Sequence, residues 1–160
     1  MAFSSILNEI VAAIKASWAD ITADSQIYTS YDALRANLLE DKSNAFVSFP
    51  LVVIDIGNRQ PETSLSIDSN QQRLPLSIWY ITTQKTIGAT SSQLFVADKG
   101  TALQTYFRSH SGTYWYQMEA PSVDSSASEA FNMKAGLDSK TEMIAVHVQW
   151  EPGLLIDGTV

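Results

Sequence analysis

The chain contains no cysteine. That excludes a disulfide scaffold and a thiolate-based zinc site, and it leaves the redox compartment unreadable. Histidine is nearly absent too, with His110 and His147 the whole supply for imidazole acid–base chemistry. Basic charge is thin: ten Lys and Arg stand against seventeen Asp and Glu, scattered without a cluster, for a formal net charge of −7. Unspecific binding to nucleic acid or to an anionic membrane surface is therefore not expected. No stretch approaches the ~18 uncharged apolar residues that span a bilayer. The opening MAFSSILNEIVAAIKASW lacks a basic leader, and Glu9 and Lys15 interrupt its apolar run, so it reads as a helix and not as a signal peptide. There is no GxGxxG, no GxxxxGK[ST], no GxSxG and no HExxH. No internal repeat or low-complexity linker divides residues 1–160, which read as one domain.

What the chain does have is apolar patterning. Hydrophobic residues make up 45% and charged ones 17%, which rules out a disordered acidic segment and supports a real core. The clearest stretch is Thr141–Trp150. Ile144, Val146, Val148 and Trp150 alternate with Met143, Ala145, His147 and Gln149, the two-residue period of a strand with one deeply buried face. Glu151-Pro152-Gly153 stops it. Leu74–Thr83 has similar length and composition and is expected in the same sheet. Phe46–Ile56 is a third strand, with Pro50 implying an edge position or a bulge.

Two helices are predicted. Ser4 or Ser5 caps the first, whose stripe Phe3, Ile6, Leu7, Ile10, Val11, Ile14 and Trp18 recurs at three- and four-residue steps. Gln93–His110 is the second, with Leu94, Phe95, Ala97, Ala102, Leu103, Tyr106 and Phe107 apolar and Gly100 weakening its middle. Between these landmarks lie a short strand around Ile27-Tyr28, a short helix capped by Ser30 or Asp32, a Thr/Gly/Ser connection through Ser92, strands at Tyr114–Glu119 and Glu129–Lys134, and a loop over Pro121–Ser128. Gly57–Arg73 is polar and too long for an idle loop, so it reads as a projecting hairpin arm. The sum is an α+β domain: a mostly antiparallel sheet, two main helices on one face, and the arm.

Candidate chemistry is sparse. His147 sits between valines with no carboxylate nearby in sequence to orient it. His110 ends a helix, where a cation suits the dipole. Asp68-Ser-Asn70-Gln-Gln72 and Asp124-Ser-Ser126 lack the glycine and the terminal glutamate of a calcium loop and read as turns. Trp79, Tyr80, Tyr114, Trp115 and Tyr116 could form a stacking platform, though strands favour aromatics in any case. No catalytic or metal-ligating set emerges and no cofactor is implied. An enzyme or small-ligand domain using Asp55 and His147 in a pocket stays open as an alternative.

The opening helix ending in Trp18, the strand FPLVVIDIG, the polar excursion, RLPLSIWYITTQ, the helix ADKGTALQTYFRSH and the closing MIAVHVQWEPG are together similar to the tail terminator, or tail-completion, proteins of tailed bacteriophages. The likeness lies in length, order and pattern and covers most of the chain. It implies an α+β subunit of a hexameric ring that closes the tail tube, meets a tube protein and a head-completion or connector protein, with a sheath protein as a further neighbour, and has no catalytic role. A different neck, head-closure or baseplate component is the sibling reading. The resemblance places the protein in the virion after assembly in the host cytoplasm. Ring closure needs two complementary patches per subunit. The segments without an evident internal purpose supply the candidates: Asn58, Arg59, Gln60 and Arg73 of the arm, and Leu154, Leu155 and Ile156 of the apolar tail.

Overall fold

A computed structural model describes residues 3–30, 32–34, 49–56, 60–61, 72–110, 112–113, 115–116, 122–124 and 143–154. In chain order the strands are β1 (Ile27–Tyr28), β2 (Leu51–Ile56), β3 (Gln60–Pro61), β4 (Gln72–Arg73), β5 (Leu76–Thr83), β6 (Trp115–Tyr116), β7 (Ser122–Asp124), β8 (Met143–Trp150) and β9 (Gly153–Leu154). The α-helices are α1 (Phe3–Ser17), a short α2 (Gln84–Ile87) and α3 (Ser92–Ser109), with one further helical turn at 32–34.

The α+β architecture is that of the sequence reading. Five strands form the main sheet in the order β1-β2-β5-β8-β7. Its spine is the antiparallel β5–β8 pair, running from Leu76 opposite Trp150 to Thr83 opposite Met143. β2 and β7 flank it antiparallel, and β1 pairs with β2 in parallel. Because side chains alternate along a strand, one set turns Val52, Ile54, Leu76, Ile78, Tyr80, Val146 and Val148 toward α1 and α3. In α1, Ile6, Ile10, Ala13 and Ile14 reach this layer at helical spacing and are fully buried, and Trp18 follows just past the helix end.

The chain departs from the expectations at several points. The first helix begins at Phe3, so Ser4 and Ser5 lie within its first turn and not at its cap. Ser30 does cap the turn at 32–34, its Oγ accepting from the Ala33 N–H at 3.1 Å. β2 begins after Pro50 and is an internal strand, which removes the conflict between proline and ladder that suggested an edge. The Thr/Gly/Ser connection contains α2, and the supposed loop after Pro121 contains β7. In α3 the buried positions are Val96, Gly100, Leu103 and Phe107, whereas Leu94 is 64% exposed and Ala97 faces solvent. Gly100 has a packing reason: a Cβ there would stand 2.5 Å from Val123 Cγ1, so α3 rides directly on β7. Over Ile144–Val148 the strand is buried on both faces, since Ala145 is as covered as Val146 and Val148 and His147 nearly so. Leu34, Leu51, Val53, Trp79, Ile81 and Ala145 form this second core layer. The strand expected at Glu129–Lys134 lies outside the described residues.

A second sheet, β3-β4-β9-β6, is antiparallel throughout. It joins Gln60–Pro61 and Gln72–Arg73, within the stretch expected to form the arm, to Gly153–Leu154; the rest of that stretch and of the tail lies outside the described residues. Trp115 of β6 fixes this sheet to the main one. Its ring meets Phe107 of α3 edge-on at 5.7 Å and Trp150 of β8 at 4.8 Å, while Phe107 stacks on Trp150 at 3.9 Å.

Candidate functional site

The strand register sorts the second face of the main sheet into three rows. Leu51, Ile81 and Ala145 form an apolar row. Val53, Trp79, His147 and Asp124 form the next, and Asp55, Ser77, Gln149 and Ser122 a polar one at the end.

In the middle row Trp79 and His147 are buried, with their rings stacked at 3.9 Å and 6°. Asp124 lies directly opposite His147 across the β7–β8 ladder, a position where Cβ atoms are about 4.5–5.5 Å apart. The sequence hid this register position because Asp-Ser-Ser reads as a turn, and the one strand signal near it is Val123 between two polar residues. Asp55 and His147, the pair weighed for an enzyme, share the face but not a site. They lie on strands separated by β5, at least about 10 Å apart from strand spacing alone, with Trp79 at the intervening position. No hydrogen bond links them directly at that range, and the geometry offers no Asp55–His147 dyad.

The polar row opens into a cleft of about 230 Å³ walled by Asp55, Ser77, Gln149 and Glu151 together with Pro75, Leu76 and Trp150. Asp55 is half-buried at the end of an otherwise apolar strand. Among the described residues its carboxylate makes no ion pair. The indole Nε1 of Trp150 is buried and has no hydrogen-bond partner among the described residues; its ring lies on the helix side of the sheet, between Phe107 and Trp115.

A separate polar network closes the helical layer. The Tyr80 hydroxyl donates to one oxygen of Asp20, and Lys99 Nζ donates to the other at 2.7 Å. Trp18 Nε1 donates to the Lys99 carbonyl at 2.9 Å, and Lys99 Nζ sits 4.7 Å above the Tyr80 ring. Burial pushes the Asp20 carboxyl up, but the hydrogen bonds from Lys99 and Tyr80 and the Lys99 charge outweigh it and hold it below its ordinary 3.8. Burial and the Asp20 charge push the Tyr80 hydroxyl up, so Tyr80 stays protonated and acts as a donor. The network is a clasp between α1, β5 and α3. A carboxyl whose pKa is lower folded than unfolded adds stability above its unfolded value, and that share is lost as pH falls through the folded one. Asp20→Asn should therefore flatten the acid limb of the melting-temperature profile below about pH 4–5; an acid limb identical to that of the parent would remove Asp20 from the clasp. The effect is modest because the side chain is 40% exposed.

The remaining candidates divide. Gln60, Arg73 and Leu154 meet in the second sheet, whereas Asn58, Arg59, Leu155 and Ile156 lie outside the described residues. Trp79, Tyr80 and Trp115 are buried and cannot serve as an exposed stacking platform. His110 caps α3, its ring stacked on Tyr106 and its Nδ1 donating to the Tyr106 carbonyl at 2.9 Å. Among the described residues no three His, Asp or Glu side chains gather to hold a metal ion, and no helix is long and apolar enough to cross a membrane. No protein-family model matches the chain, and no curated protein is similar to it.

Proposed function

We propose that this protein is a structural subunit of a tailed-phage virion that assembles into a ring, a hexamer, at the end of the tail tube and offers the surface to which the head-side connector docks. The observation that carries the reading is the second sheet. Gln72–Arg73, at the end of the expected arm, and Gly153–Leu154, at the start of the tail, pair with each other as β4 and β9. Among the described residues β3 and β6 are the outermost strands of that sheet, and their backbone edges are where a neighbouring subunit would add. A ring closes through two unlike patches on each subunit, and a sheet with two distinct edges supplies such a pair. The tube protein, the connector and, on a contractile tail, the sheath protein are the partners this role requires.

The test keeps the paired Gln60–Pro61 and Gln72–Arg73 and removes the residues between them. Pro61 pairs with Gln72, so replacing residues 62–71 by Asn-Gly leaves a two-residue hairpin that these strands accept. Light scattering and negative-stain imaging of the parent should show rings of about six subunits, alone or on added tail tubes. The shortened variant should keep its circular dichroism spectrum and lose the rings. A parent chain that forms no ring under either condition overturns the reading.

A further inference from the structure

No further inference is drawn: the strongest candidate, the cleft beside Asp55, Ser77 and Gln149 at the polar end of the main sheet, is a polar cluster for which nothing among the described residues shows what it would hold.

Discussion

Phe107→Ala is expected to cost about 3–5 kcal/mol, the range for emptying a buried phenylalanine site. The side chain is fully buried and stands where three elements meet: α3 carries it, Trp150 of β8 stacks on it at 3.9 Å, and Trp115 of β6 meets it edge-on. The void cannot collapse easily, because its walls are two indoles anchored in different sheets. Against a total stability of roughly 5–15 kcal/mol for a domain, this is a large share, and the urea midpoint should fall accordingly. The loss should also be uneven. Trp115 links the second sheet to the first through this cluster, so amide exchange at residues 115–116 and 153–154 should speed up more than at residues 76–83. Phe107→Leu keeps apolar bulk and should recover most of the midpoint. An alanine variant with an unchanged midpoint would show that the two sheets are held together elsewhere.

The parts that were legible in the sequence are those with a sustained period. The α1 stripe from Ile6 to Trp18 and the alternation over Met143–Trp150 repeat often enough to name the element and one inward face, and Leu76–Thr83 followed from its likeness in length and composition. Short elements escaped for the opposite reason. β7 has three residues, and Ser-Val-Asp carries one apolar position, which no window can distinguish from a turn. Its consequence, Asp124 set opposite His147, is a long-range fact of register that local spacing cannot report. Burial of the second face was hidden because Ala145 and His147 look polar or neutral beside Val146 and Val148, yet both are buried. The Asp55 cleft stayed hidden likewise: a lone carboxylate in LVVIDI reads as a strand end, and Ser77 and Gln149 join it through pairing across β2, β5 and β8. Gly100 shows propensity losing to packing. Its helix-weakening cost of about 1 kcal/mol is accepted because Val123 leaves no room for a methyl group.

Trp79→Ala carries the second large effect, and its sign decides what the middle row is for. Trp79 is 1% exposed, stacked on His147 and packed in the layer of Leu51, Val53, Ile81 and Ala145. If that layer is core, removing the indole costs about 3–5 kcal/mol, and His147 loses the ring that shields one side of it. If the row were instead a site shaped for chemistry, its residues would be held at some cost to stability, and the truncation would be neutral or stabilising. The geometry favours core: the rings lie flat against each other in a covered layer, and Asp55 is too distant to work with His147. The expected result is a fall in the urea midpoint matching that of Phe107→Ala, with Trp79→Phe losing much less. A midpoint that holds or rises would return His147 and Asp124 to consideration as a functional pair, and would weigh against a purely structural protein.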